Sequence, residues 1–136
     1  MGGRKIRKES IRGFTRTLAG FIVDTHAPDI PGDVFEHTKI TFLDWLGCAI
    51  AGAYDPAVEK LIRYADLMGG EAQATIIGRG VKKTVTQAAL INGATSHVLD
   101  YDDTSTRYIG HPSVGMFPAL LALERIRSMD HLFVLS

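Results

Sequence analysis

The stretch TKITFLDWLGCAIAGA, residues 38–53, decides the fold class. From residue 40 to residue 54 the chain is apolar nearly all round, interrupted by Asp44 and by small residues. A helix of that kind belongs in the centre of a helical assembly, because it has no polar face to turn to water. Gly47, Ala49, Ala51, Gly52 and Ala53 leave room for neighbouring helices to come close. The uncharged part, Trp45 to Tyr54, is about half of the roughly 20 residues a membrane span requires. Its apolar surface is therefore expected to meet protein.

Outward from this segment the same helical periodicity continues. Asp33 can cap the start of the central helix, with Glu36 three residues on. Upstream, Phe14, Leu18, Phe21 and Ile22 recur at helical spacing between residues 11 and 25, and Pro28 and Pro31 end that segment. Downstream, Asp55-Pro56 reads as a cap followed by a first-turn proline. Val58, Leu61, Ile62, Ala65 and Leu67 then form an apolar stripe, stopped by Gly69-Gly70. Residues 74–77, bounded by Gly78 and Gly80, read as an extended connector, and Gly78-Arg79-Gly80 as a tight turn. A fourth helix is predicted over 84–99, and a loop over 100–113. A fifth helix carries Val114, Met116, Phe117, Leu120, Leu121 and Leu123, with Pro118 in its first turn or at a kink. The fold class is all-α, without alternating βα units.

The composition fits one ordinary globular domain. The 136 residues are 46% hydrophobic and 22% charged, with 15 basic against 15 acidic side chains. Zero net charge argues against a general nucleic-acid or anionic-membrane binder. One cysteine, Cys48, excludes an internal disulfide framework and a multi-cysteine metal centre within these residues. Charge is nevertheless uneven: Arg4, Lys5, Arg7, Lys8, Arg12 and Arg16 stand against Glu9 alone in the opening stretch. Residues 1–10 are expected to be a basic flexible tail, and residues 11–136 a partial helical domain. The apolar run Leu18 to Val23 is too short for the core of a secretion signal. A cytoplasmic setting is expected.

The chemistry is concentrated in His97-Val-Leu-Asp-Tyr-Asp-Asp-Thr104, followed by Gly110-His-Pro-Ser113. Should helical geometry persist past residue 97, Asp100, Asp103 and Thr104 share a face, one turn beyond His97. Crowded carboxylates raise the pKa of at least one of them, and histidine titrates near neutrality. That combination can remove a proton next to a carboxyl group or protonate a leaving hydroxyl. An acidic helix end is also commonly a solvated turn, and a histidine a structural one. His111 precedes the fifth helix, where free amides disfavour its protonated form. An EF-hand starting at Asp100 fails, since Ser105 and His111 stand where Gly and Glu are required. Thr106 likewise stands where a DDxxD magnesium box wants Asp.

Four stretches in this order resemble one family: TKITFLDWLGCAIAGA at 38–53, ATIIGRG at 74–80, AALINGATSHVLDYDDT at 88–104 and GHPSVGMFPALLALE at 110–124. The chain resembles the amino-terminal part of the MmgE/PrpD family, over about residues 11–127. That family includes 2-methylcitrate dehydratase, cis-aconitate decarboxylase and iminodisuccinate epimerase. The resemblance implies lyase or isomerase chemistry on small di- and tricarboxylic acids, with no metal and no cofactor. It also implies a homodimer or other homo-oligomer, and no nucleic-acid or membrane partner. Carried over by position, the catalytic residues are Asp100, Thr104 and His111, with His111 moving the proton. Substrate binding is assigned to His97, Asp103 and Arg107. The implied architecture is the truncated amino-terminal part of a large helical domain, its α/β lid domain absent.

Ser105-Thr106-Arg107 follows the acidic segment where many relatives carry another histidine or an aromatic residue. The lysines with which relatives hold substrate lie further along than Ser136. This chain is therefore expected to be incomplete or inactive alone, with exposed apolar surface that favours association. The competing reading is a non-catalytic, self-associating helical module.

Overall fold

The computed structural model describes residues 8–107 and 109–129. The basic tail expected over 1–10 falls mostly outside the described residues; Lys8 onward is helical. Five α-helices and one hairpin make up the described chain, and its fold class is all-α. The chain divides into two compact units, one ending at His37 and the other starting at Thr38.

In the first unit, α1 (Lys8–Asp24) ends where Thr25 returns its N–H to the Phe21 carbonyl at 3.1 Å. A single 3-10 turn follows over Ala27–Asp29, entered by Pro28 and fixed by the Asp29 carboxylate, which accepts from the His26 N–H at 3.0 Å. The apolar stripe of α1 is exposed at Phe14, Leu18, Phe21 and Ile22.

The second unit begins inside α2 (Gly32–Gly52), whose later turns bury Trp45, Cys48, Ala49 and Gly52. Trp45 stacks with Phe42 and Phe117 in a three-ring group, with centroids 5.2–5.7 Å apart. Gly52 is required by contact: a Cβ there would stand 2.2 Å from the Thr95 carbonyl oxygen of α4 (Val85–His97). The small residues at the end of α2 therefore do admit a close neighbour. Gly47, by contrast, faces open space.

The helix α3 (Pro56–Met68) starts as its sequence dictates. Asp55 caps it by accepting from the Ala57 N–H at 2.7 Å, and Pro56 occupies the first turn. Val58, Ile62 and Ala65 form its buried stripe, and Gly69 ends it. The predicted connector is strand β1 (Ala74–Ile76), paired antiparallel with β2 (Val81–Lys83). Ala74 and Ile76 face the core and Thr75 faces out, as period-two geometry requires. The second strand was not anticipated, because Val-Lys-Lys carries no alternating apolar signal. Gly78 and Gly80 adopt positive φ in the turn between the strands, and a Cβ on Gly78 would lie 2.6 Å from that of Ala53.

Thr84 caps α4, and Gln87 returns the bond to the Thr84 N–H, a reciprocal box. The core joins Val58, Ile62 and Ala65 of α3, Ala74 and Ile76 of β1, and Ala88 and Ile91 of α4. Ala122 of α5 (Pro112–Met129) completes it. Pro118 lies inside α5, past its first turn, and packs over Gly93 of α4. Its missing N–H cannot bond the Val114 carbonyl one turn back. No helix among the described residues is long and apolar enough to cross a membrane.

Candidate active site

The site is built where α4 ends. His97 is its last residue, and Val98 closes it by bonding the Ala94 carbonyl at 3.0 Å. The chain then leaves helical geometry two residues earlier than the predicted end at 99. Asp100 takes φ +50, a left-handed conformation that Asp tolerates better than most residues. Its N–H bonds the His97 carbonyl at 2.8 Å. The helical face proposed for Asp100, Asp103 and Thr104 therefore does not form. The turn brings Asp102 back against His97 instead.

A second turn returns the chain. Ser105 and Gly110 form an isolated antiparallel bridge, with the Ser105 N–H on the Gly110 carbonyl at 2.9 Å. Ile109, a β-branched residue at φ +54, holds a strained position inside this closure. His111 is thereby delivered beside Asp102, directly before Pro112 opens α5. Asp103 accepts from the Ser113 N–H at 3.2 Å, so its carboxylate satisfies one free amide of that helix.

Four side chains converge. His97 Nδ1 lies 2.8 Å from Asp102 Oδ1. His111 Nδ1 lies 3.3 Å from the Asp102 carbonyl oxygen and 3.3 Å from Asp102 Oδ2. His111 Nε2 lies 3.7 Å from Asp100 Oδ1. The two imidazoles meet edge to face, centroids 4.6 Å apart. The Asp102 side chain is completely buried, whereas that of Asp100 is 81% exposed. The His111 ring thus stands between a dry carboxylate and a wet one. One oxygen of each carboxylate and one nitrogen of each imidazole lie within 4.8 Å of one another, a donor set that a divalent ion would also suit.

Thr104 and Arg107 are exposed on the loop and make none of these contacts. Among the described residues no Lys or Arg forms an ion pair with Asp100, Asp102 or Asp103. Beside Asp100, its neighbours Leu99 and Tyr101 line an open groove of about 460 Å³ with Ile40, Leu43, Asp44 and Cys48. Burial pushes the Cys48 thiol pKa up, and the negative charges of Asp44, Asp102 and Asp103 push it further the same way. Cys48 thus lines the groove as a buried free thiol.

A family model, the MmgE/PrpD N-terminal domain, matches residues 16–131. The chain belongs to the MmgE/PrpD family. Among its relatives is the cis-aconitate decarboxylase-like protein oryM of Aspergillus oryzae, 26% identical over 117 residues, which are 86% of this chain and 24% of that protein. The cis-aconitate decarboxylase of Mus musculus is 28% identical over 115 residues, 84% of this chain and 23% of the enzyme. That of Homo sapiens is 26% identical over 114 residues, 83% and 24%. The chain thus spans about a quarter of the length of the relatives it matches.

Within this MmgE/PrpD domain, Asp102 is the residue that sequence reasoning passed over. Three carboxylates stand between 100 and 103, and spacing alone does not say which one is buried. The left-handed turn at Asp100 makes that choice, and no helical template contains it.

Proposed function

We propose that the cluster of His97, Asp100, Asp102 and His111 performs metal-free acid/base chemistry on a small di- or tricarboxylate, of the cis-aconitate decarboxylase or 2-methylcitrate dehydratase type. The observation that carries this reading is the approach of His111 Nε2 to the exposed Asp100 carboxylate, with the other ring nitrogen, Nδ1, against buried Asp102. In a decarboxylation, a carbon–carboxylate bond breaks, CO2 leaves, and the released electron pair is taken up by the carbon skeleton with a proton. His111 delivers that proton to the carbon, Asp100 stands beside its Nε2 on the exposed side, and Thr104 and Arg107 approach the substrate from the loop. The relatives' names support cis-aconitate as the first substrate to try.

The cluster also sets a limit on the chain acting alone. Its carboxylates repel an anionic substrate, and no Lys or Arg among the described residues pairs with them. Turnover by the 136 residues is therefore expected to fall far below that of the mouse enzyme. Calorimetry with cis-aconitate on the chain and on His111→Gln tests the reading, beside a turnover assay with both substrates. Weak binding that His111→Gln abolishes supports it. Equal binding by both proteins contradicts the site, and turnover matching the mouse enzyme contradicts the expected limit.

A second reading, a self-associating helical module, is favoured by one observation. Ile40, Leu43 and Ile50 on α2 are each more than half exposed, as is Tyr101 beside them at the groove. Concentration-dependent association in the ultracentrifuge with no tricarboxylate binding would favour the module over the lyase.

A further inference from the structure

Asp102 is a costly residue to keep where it is. Its side chain is wholly buried, and among the described residues only the two histidines, and no Lys or Arg, approach its carboxylate. Oδ1 lies 2.8 Å from His97 Nδ1, while Oδ2 is buried without a hydrogen bond, 3.3 Å from His111 Nδ1. An unsatisfied buried carboxylate oxygen is destabilising unless a donor or a developing charge faces it. Here the facing group is an imidazole, and the same imidazole nitrogen also faces the backbone carbonyl of Asp102.

That backbone contact carries chemical information. A carbonyl oxygen only accepts, so His111 Nδ1 must be the protonated nitrogen. With an Asp102 carboxylate oxygen as the acceptor of the 2.8 Å contact, His97 Nδ1 is the donor there too. Both neutral rings then leave Nε2 as the bare, basic atom. For His111 that atom is the one turned to Asp100, at 3.7 Å, too long for a hydrogen bond and therefore available.

We infer that Asp102 is a positioning residue that fixes the Nδ1–H tautomer and ring orientation of both histidines, so that His111 Nε2 is the proton-transferring atom. When Nε2 takes a proton, the Nδ1–H that already faces Asp102 Oδ2 becomes part of an imidazolium, so the buried carboxylate then faces a cation. This inference deepens the acid/base reading and rests on it for its functional meaning. Its test needs no substrate.

The test is two-bond proton–nitrogen correlation on the ¹⁵N-labelled 136-residue chain, at a pH where both rings are neutral. The expected result is the Nδ1–H pattern for His97 and His111. In Asp102→Asn, one ring faces an amide N–H₂ in place of an acceptor, so at least one histidine moves to a mixture of tautomers while far-ultraviolet circular dichroism is unchanged. An Nε2–H pattern for His111 in the native chain overturns the inference. So does an Asp102→Asn protein with both patterns unchanged. Should Asp102→Asn fail to fold, the native spectrum decides by itself. Nδ1–H rings without tricarboxylate binding would retain Asp102 as the positioning group and remove the lyase reading alone.

Discussion

At the scale of single residues, the side chains that matter most here are polar groups buried with a purpose. Asn92, inside α4, clamps β1 through two bonds: its Oδ1 accepts from the Ile77 N–H at 2.9 Å, and its Nδ2 donates to the Thr75 carbonyl at 3.0 Å. Asn92→Ala strands both backbone groups. A small cavity of about 180 Å³ lined by Thr75, Ile77, Asn92, Leu121 and Ala122 lets water take up part of the loss. The expected destabilisation is about 1–3 kcal/mol, read from urea unfolding. Neither Asn92 nor Asp102 was legible in the sequence, because period and composition report which face is apolar and say nothing about which polar group is turned inward. His97, Asp100 and His111 could be picked out, since carboxylates and imidazoles crowd one short segment. Their distances could not, because those depend on φ +50 at Asp100 and on the strained Ile109.

Elements were legible where a cap or a stop is local. Asp55-Pro56, the glycine pair after α3 and the Gly78–Gly80 turn each act within a few residues, and each stands where the sequence predicts. The pairing of β1 with β2 depends on what covers them, which a short Val-Lys-Lys strand does not announce. The turn residue Arg79 acts between elements: its guanidinium bonds the Ala53 carbonyl at 3.0 Å and the Glu59 carboxylate at 2.6 Å, and lies 4.8 Å over the Tyr54 ring. It ties the end of α2 to α3 across the hairpin. The hydrogen bond from Arg79, then its charge, hold the Glu59 pKa below the ordinary carboxylate value. A depressed folded-state pKa contributes stability that is present above the unfolded value and is lost as pH falls through the folded one. Unfolding midpoints of the native chain should therefore drop in mild acid. In Glu59→Gln that component of the acid limb should be missing, and an unchanged slope would place the acid sensitivity elsewhere.

For the molecule as a whole, the all-α class followed from one segment, residues 38–53, and the buried Trp45, Cys48, Ala49 and Gly52 give the reason. The same helix also leaves Ile40, Leu43 and Ile50 exposed, part of the exposed apolar surface that the sequence led us to expect. That surface borders the groove at Asp100, so the apolar face and the histidine–aspartate cluster form neighbouring parts of one region. The most direct measurement is the ring ¹⁵N resonance of His111 during titration of the chain with cis-aconitate. The account predicts that Nε2 shifts saturably towards the protonated value, while succinate, a saturated dicarboxylate, has a weaker effect. A His111 ring that stays unchanged while resonances elsewhere respond to cis-aconitate would contradict it.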